Sequence, residues 1–231
     1  IILYVMDALR PDFLSCYGYE ENTSPNIDLL AKDSVVFKKA FSQATWTRSS
    51  AASILTSMYP SAHGVINKNF KLPSNAATIA GELQTHGFQS IAISAMPNVS
   101  TTFNFHYGFN IFIELFRDKH LMNDGIILPR MNDVIPTSAH INEAAFKLLA
   151  GPTEDDILFF IWSIDTHGPF YCRDSKMAKF CDSQLAAQFN NIFSDHAQTK
   201  KLYQNMIAYN DLNFGLLMSK LKLLGLYDQS M

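Results

Sequence analysis

The chain has 231 residues, 48% of them hydrophobic, which is enough apolar sequence to bury one large core. Its formal net charge is −3 and its basic residues are scattered, which excludes the basic patch of a nucleic-acid-binding protein. No apolar run in the sequence is long enough to span a bilayer.

The predicted elements begin with a strand and a short helix. Residues 1–6 form a continuous apolar run, which is typical of a strand buried on both faces of a parallel sheet. In the segment TSPNIDLLAKDS, Ser24 is the expected N-cap of a short helix and Pro25 is its first residue. Residues 35–41 (VVFKKAF) are predicted as a second strand.

The next segment, QATWTRSSAASILTSMYP at residues 43–60, is predicted as a short apolar helix with Thr47, Arg48 and two serines at its start. Because Ser and Thr are common N-caps, the simplest interpretation is a capped helix. The alternative is a nucleophile at a helix N-terminus, where backbone N–H groups and the helix dipole attract an anion. Taken alone, this segment favours the capped helix.

The second half of the chain continues the alternation of helices and strands. Residues 77–87 are predicted as a helix that ends at Gly87, and residues 88–95 as the strand that follows it. Residues 97–135 lack periodicity and are predicted to be rich in loops. The remaining predicted elements are a helix over 138–151, a strand over 155–165 and a long helix over 198–224.

This order of elements predicts an α/β layered fold around a mostly parallel sheet. In such sheets, ligands bind beyond the carboxyl ends of the strands. Polar residues follow three of the predicted strands: Asp7, then Thr47, then Asp165, Thr166 and His167. Together they could form a hard-metal site with an activated hydroxyl. Simpler interpretations stay open, since Asp7 could cap a turn and His167 could be an ordinary loop histidine.

The cysteines and the chain ends bear on the cellular compartment and on whether the chain is part of a longer protein. Cys16, Cys172 and Cys181 lack metal-type spacing and cannot all pair, so a disulfide scaffold is not expected and a reducing, cytoplasmic compartment is slightly favoured. The chain starts inside an apolar strand without a Met and ends just after a helix. Both ends are therefore expected to be cut from a longer protein, so the chain ends decide neither localisation nor membrane attachment.

Eight short blocks of the sequence carry a family resemblance. They are DALRPD (7–12), YGY (17–19), TSPNID (23–28), ASILTS (52–57), YP (59–60), HGV (63–65), DTHGPF (165–170) and YND (209–211). In this order they resemble the sulfatase family of the alkaline phosphatase superfamily, over essentially the whole chain. The resemblance implies a three-layer α/β sandwich. It also implies that residues 1–231 are an incomplete catalytic domain without the last metal-binding strand.

Two departures from the family pattern bear on the chemistry. The sulfatase signature Cys (or Ser)-x-Pro-Ser-Arg, whose first residue is oxidised to formylglycine, aligns with Thr47 to Ala51. Threonine cannot give that aldehyde because the carbon to be oxidised carries a methyl group, so no formylglycine is expected. Ala8 replaces the second of two successive aspartates. One acidic residue with a threonine looks more like the metal-dependent phosphodiesterases and phosphotransferases of the superfamily.

The resemblance therefore implies a metal-dependent hydrolase of sulfate or phosphate esters with Thr47 as nucleophile. Asp7 and Thr47 would hold a divalent ion (Mn, Zn, Ca or Mg), while Arg48 and His167 would assist the reaction. Candidates for substrate binding are Asn98, Asp165 and His63; the last of these could instead support the loop after the nucleophile helix. The expected substrate is a small-molecule, glycan or lipid ester.

Two alternatives stay open at this point. The first is a phosphoglycerol- or phosphoethanolamine-type transferase that acts on a glycan or lipid, which transmembrane helices upstream would favour. The second is a binding domain with the same fold and no catalytic activity, which a failure to bind any divalent metal would favour.

Overall fold

The computed structural model describes residues 1–118, 126–127, 134–151, 156–172 and 196–230. These residues form two compact units. The first unit comprises Ile1–Val5, Lys39–Ser163 and Ser230–Met231, and the second comprises Met6–Lys38 and Ile164–Gln229.

A four-stranded sheet forms the centre of the first unit. Its strands, in spatial order, are β1 (Ile2–Met6), β6 (Ile157–Ser163), β2 (Gln89–Ser94) and β3 (Ile111–Glu114). Strand β2 is parallel to both of its neighbours. The apolar run Leu158–Trp162 in β6 is buried, as expected for a central strand between two covered faces. The predicted α/β fold with a mostly parallel sheet is therefore confirmed.

The first unit contains four described helices, three of which were predicted from the sequence, while the short helix α3 was not. They are α2 (Thr47–Thr56), α3 (Pro60–His63), α4 (Ile79–Thr85) and α5 (Ser138–Leu148). Helix α4 begins where Thr78 accepts a 3.1 Å hydrogen bond from the Gly81 N–H, and Gly87 follows it with a φ of +86°. Helices α4 and α5 pack against β2.

Short elements complete the first unit. Two-residue strands β4 (Ile126–Ile127) and β5 (Val134–Ile135) pair in antiparallel fashion. Two 3₁₀ turns span Thr101–Phe103 and Leu115–Arg117.

Two helices dominate the second unit: α1 (Pro25–Lys32) and α6 (His196–Leu223), both close to their predicted ranges. The carboxylate of Asp211 in α6 accepts hydrogen bonds from the N–H groups of Asn26 (3.0 Å) and Ile27 (2.8 Å). It therefore takes the capping role that the sequence assigned to Ser24, whose side chain makes no such bond. Two 3₁₀ turns, Pro11–Phe13 and Ser15–Tyr17, precede α1.

The predicted strand at residues 35–41 is wrong, because this segment has irregular backbone structure. Val35, Phe37 and Phe41 are 81%, 69% and 80% exposed. β-branched and aromatic residues are typical of a strand, but a strand also needs a neighbouring strand with which to form hydrogen bonds. Within the residues described, this segment has no such neighbour.

The cysteines differ from expectation. Cys172 is disulfide-bonded and Cys16 is a free thiol, while Cys181 lies outside the described residues. Because disulfides persist mainly in oxidising compartments, this bond removes the cysteine argument for a cytoplasmic location. Over the parts of the chain that are described, no helix has the length and hydrophobicity needed to cross a membrane.

Candidate active site

Thr47 is the first residue of α2. Its neighbour Trp46 occupies the N-cap position and makes no side-chain capping bond, so the capped-helix interpretation, with Ser or Thr as the cap, is wrong. Thr47 also follows irregular structure rather than the predicted second strand. The first N–H groups of a helix have no acceptor within the helix, and the dipole adds positive potential there. The half-buried Thr47 hydroxyl group is therefore carried at an anion-attracting helix end.

Arg48, the next residue, is only 4% exposed. Its Nη1 donates to the backbone carbonyls of Lys68 (2.6 Å) and Phe70 (3.2 Å), and its Nη2 donates to Oδ1 of Asn98 (2.8 Å). The guanidinium also lies 3.2 Å from the ring centroid of Phe103. Burial lowers the pKa of Arg48 below its ordinary value.

These contacts tie the start of α2 to two segments that come later in the sequence. Arg48 is thus a buried residue and not a solvated surface one. Asn98, a candidate for substrate binding, uses its amide oxygen to hold Arg48. The arrangement makes Arg48 an anchor for the residue that precedes it, and a substrate contact for Arg48 stays a prediction.

Ser53 and His63 connect α2 to α3. Ser53 Oγ lies 3.0 Å from His63 Nε2, and His63 Nδ1 accepts a 3.0 Å hydrogen bond from the Val65 N–H. This pattern places the ring proton on Nε2. His63 is 2% exposed, and burial lowers its pKa. Both ring nitrogens are occupied, so His63 supports the loop after α2, the role considered alongside substrate binding.

Ala51 occupies the position of the signature arginine. It is completely buried in α2. The alanine side chain at that position therefore cannot bind an anion.

In the second unit, Asp7 directly follows β1 and begins a tight turn. The following residue, Ala8, has a φ of +58°, in the left-handed region. The Thr166 hydroxyl donates a 2.5 Å hydrogen bond to the Asp7 carbonyl, and the Tyr203 hydroxyl donates a 2.7 Å bond to the Ala8 carbonyl. The predicted proximity of Asp7 and the DTHGPF block is thus present in the structure.

The other polar residues of this block differ in exposure. Asp165 is completely buried, whereas His167 is exposed and its Nδ1 lies 2.6 Å from the carbonyl oxygen of Gly168. A residue that meets substrate must be accessible, so His167 keeps its candidate role. The role of Asp165 in substrate binding stays a prediction.

Metal ligands are sparse. Across the described ranges, no group of three or more His, Cys, Asp or Glu side chains could hold a metal ion. The sequence did not indicate the contact of Phe103 with Arg48 or that of Tyr203 with Ala8. Their role depends on contacts distant in sequence, for which the local pattern carries no signal.

Residues 1–231 match the family model described as Sulfatase. The iduronate 2-sulfatase of Mus musculus is 32% identical over 115 residues, which cover 48% of this chain and 21% of that protein. The chain thus spans about a fifth of this curated relative (21%).

Two solved structures share the fold. Phosphonate monoester hydrolase of Agrobacterium radiobacter has a TM-score of 0.71 at 16% identity, over 98% of this chain and 60% of that chain. The C-terminal periplasmic domain of phosphoethanolamine transferase EptC from Campylobacter jejuni has a TM-score of 0.69 at 16% identity, over 98% and 64%. The chain therefore has a fold found in both hydrolases and transferases.

Proposed function

The chain belongs to the sulfatase family, and we propose that it is a metal-dependent hydrolase of sulfate or phosphate esters with Thr47 as nucleophile. The observation that carries the proposal is the position of Thr47 as the first residue of α2. A helix N-terminus attracts the anionic oxygens of a phosphate or sulfate group, which brings the ester to the hydroxyl.

In the proposed reaction, Oγ1 of Thr47 attacks the phosphorus or sulfur atom and its proton passes to solvent. The bond from that atom to the leaving oxygen breaks, and the leaving oxygen keeps the electron pair. His167 is the candidate that protonates this oxygen, because its imidazole is exposed and histidine is the most common general acid in enzymes. Water then adds its hydroxyl group to the phosphorus or sulfur, and its proton restores the Thr47 hydroxyl.

Sulfatase-family enzymes are generally metal-dependent, and the candidate ligands on this chain are Asp7 and Thr47. A carboxylate and a hydroxyl are hard oxygen donors, which suit Mg²⁺, Ca²⁺ or Mn²⁺. A bound divalent ion lowers the pKa of a hydroxyl group that it contacts. Two donors are fewer than the roughly six that Mg²⁺ takes, so the proposal requires further ligands from water or from residues outside the described ranges.

The side chains favour a phosphate ester over a sulfate ester. Thr47 cannot become formylglycine, and Ala51 stands where the signature has arginine. The name of the mouse relative, an iduronate 2-sulfatase, points instead to a sulfate ester of a sugar. The proposed substrate class is therefore an anionic ester of a small molecule or glycan, with phosphate as the first choice.

A substrate panel tests the proposal. Aryl sulfate, phosphate monoester, phosphate diester and phosphonate substrates are each offered to the full-length protein with Mn²⁺, Zn²⁺, Ca²⁺ or Mg²⁺. We expect turnover of at least one class, lost on chelation with EDTA and restored by a single ion. Absence of turnover with every combination would contradict the proposal and favour a binding domain without catalytic activity.

A transferase is the second candidate, favoured by the fold match to the phosphoethanolamine transferase domain. In that case the ester on Thr47 passes to an alcohol of a glycan or lipid instead of to water. Turnover in ¹⁸O-labelled water separates the two. A hydrolase releases phosphate or sulfate that carries one labelled oxygen, whereas a transferase forms an unlabelled ester with an added alcohol such as glycerol.

A further inference from the structure

Residues 58–71 form a strip that runs back along α2. Near the end of this helix, Ser53 Oγ lies 3.0 Å from His63 Nε2. At its start, Arg48 donates a 3.2 Å hydrogen bond to the Phe70 carbonyl. The partner of the helix thus moves forward along the strip as the helix is followed back to its start. The strip therefore ends beside the helix turn that carries the candidate nucleophile.

The strip exposes large apolar side chains. Met58, Tyr59, Ile66 and Phe70 are 39%, 71%, 60% and 45% exposed. Single exposed apolar residues are ordinary on a protein surface, whereas a group of them marks a surface that meets another molecule or a membrane. Because these four side chains belong to one short strip, they indicate a binding surface.

The same strip is basic. Lys68 and Lys71 are exposed, and residues 39–81 contain no Asp or Glu, although the whole chain has a formal net charge of −3. Lysine side chains near exposed apolar residues, without carboxylates between them, attract an anionic partner that also offers an apolar region. Charge and hydrophobicity therefore specify the same kind of partner.

The backbone at the end of the strip is held without these side chains. The bonds from Arg48 go to the main-chain oxygens of Lys68 (2.6 Å) and Phe70 (3.2 Å). The N–H of Leu72, which is completely buried, donates a 3.1 Å bond to the Phe103 carbonyl. The side chains of Lys68 and Phe70 can therefore be replaced without removing the bonds that fix the loop.

We propose that the strip at residues 58–71 docks the protein on an anionic lipid surface. Ile66 and Phe70 enter the boundary between headgroups and acyl chains, while Lys68 and Lys71 meet the headgroup phosphates. An anionic glycan would engage the lysines but would leave the aliphatic side chains in water. A lipid surface satisfies both, because its affinity combines apolar burial with attraction between charges.

This docking goes beyond the proposed reaction and does not depend on it. Because the strip ends beside the start of α2, docking brings Thr47 close to the lipid headgroups. An anionic ester carried by a lipid headgroup is thereby added to the substrate classes of the proposed function. Only this addition rests on Thr47 as the nucleophile.

The experiment measures co-sedimentation of the purified full-length protein with lipid vesicles. One set of vesicles contains equal parts of phosphatidylcholine and phosphatidylglycerol, and the other contains phosphatidylcholine alone. We expect binding to the anionic set and much weaker binding to the neutral set. Raising NaCl from about 0.1 M to about 0.5 M should weaken binding, because salt screens the attraction between lysines and headgroups.

Two double variants separate the charged and the apolar contributions. Lys68→Gln/Lys71→Gln should weaken binding to the anionic vesicles about fivefold for each lysine removed. Ile66→Ser/Phe70→Ser should weaken it about tenfold or more, because two large apolar side chains no longer leave water.

Leu29→Ser/Lys32→Gln in the second unit is the matched control. Leu29 is 54% exposed on α1, and Lys32 is exposed in the last turn of the same helix. This variant removes an apolar side chain and a charge outside the strip, so its affinity for the anionic vesicles should stay within about twofold of wild type. The melting temperature is recorded for every variant.

Two results overturn the proposal. If either strip variant binds the anionic vesicles as tightly as wild type, the lipid contact lies elsewhere. Failure of the wild type to bind them refutes the docking, and a lowered melting temperature of Ile66→Ser/Phe70→Ser would then assign the strip to packing against another part of the full-length protein. If that variant does not fold, Lys68→Gln/Lys71→Gln decides alone, because it changes only exposed side chains. Turnover of soluble substrates is unaffected by either result, so the proposed function is judged separately.

Discussion

Arg48 Nη2 donates a 2.8 Å hydrogen bond to Oδ1 of Asn98, a residue fifty positions later in the sequence. The same guanidinium donates to the carbonyls of Lys68 and Phe70. One side chain thus holds the start of α2, where Thr47 lies, against two separate loops. The position of Thr47, the proposed nucleophile, therefore depends on the buried guanidinium of Arg48.

Arg48→Met is expected to reduce the free energy of unfolding by about 3 kcal/mol, because it leaves two carbonyls and the Asn98 amide oxygen without their donor. Urea unfolding followed by circular dichroism measures this. The control is Arg10→Met, whose side chain is 63% exposed in an ion pair with Asp12, and which should cost less than about 1 kcal/mol. If Arg48→Met is as stable as wild type but has a raised KM, Arg48 would instead be assigned to substrate binding.

Thr47→Ala is expected to lower kcat about a thousandfold or more, because the attacking oxygen is removed. Thr47→Ser keeps the hydroxyl and should keep part of the activity. The melting temperature should stay close to wild type, since Thr47 is half-buried at a helix end. Steady-state kinetics with the best substrate of the panel measures the change.

Thr56→Ala is the matched control for Thr47. Thr56 closes the same helix and donates a 2.7 Å bond to the Ala52 carbonyl. Its substitution should leave kcat within about twofold of wild type, because it lies at the far end of α2 from the proposed nucleophile. Full activity of Thr47→Ala would refute the nucleophile assignment.

Elements with a strong local pattern were predictable from the sequence. The long helix predicted over 198–224 is α6 (His196–Leu223), and the strand predicted over 155–165 contains β6. The prediction of a strand at 35–41 was wrong because a strand must pair with a neighbouring strand, and the local sequence carries no information about that neighbour.

The site was predictable only in part. The blocks around Asp7, Thr47 and His167 indicated candidate residues for the chemistry, and their catalytic roles stay predictions. The burial of Arg48 was not predictable, because its partners Lys68 and Asn98 lie 20 and 50 residues away. For the same reason the support that Tyr203 gives to the Asp7 turn, across 195 residues, had no local signal.

His63 is expected to make stability depend on pH. Burial lowers its pKa below the ordinary value of about 6.5, so below that pH the unfolded chain binds more protons at this residue than the folded chain. Stability contributed by the neutral ring is therefore present above about pH 6.5 and is lost as the pH falls toward the folded pKa. Urea unfolding between pH 7.5 and 5 measures this slope.

His63→Gln tests the origin of that slope, since glutamine keeps a donor and an acceptor but does not titrate. We expect the variant to be less stable at pH 7.5 and to lose less stability on acidification than wild type does. An equal dependence on pH in both proteins would contradict the role of His63.

Gly215 in α6 lies against the side chain of Asn26 in the same unit. A Cβ added at Gly215 would overlap Asn26 Oδ1 and lie 2.9 Å from its Nδ2. That amide nitrogen donates a 2.8 Å bond to Asp211, whose carboxylate also accepts from the N–H groups that begin α1. A methyl group at this position must therefore displace Asn26 and disturb the capping of α1.

Gly215→Ala is accordingly expected to destabilise the protein by about 1–2 kcal/mol, although Gly→Ala inside a helix ordinarily stabilises by roughly 1 kcal/mol. Thermal and urea unfolding measure the sign. The matched control is Gly151→Ala, where the added Cβ would come no closer than 3.9 Å to Leu148 O, so its effect should stay within about 0.5 kcal/mol. An increase in stability for Gly215→Ala would mean that Asn26 moves aside without cost, and that its bond to Asp211 contributes little to the α1–α6 contact.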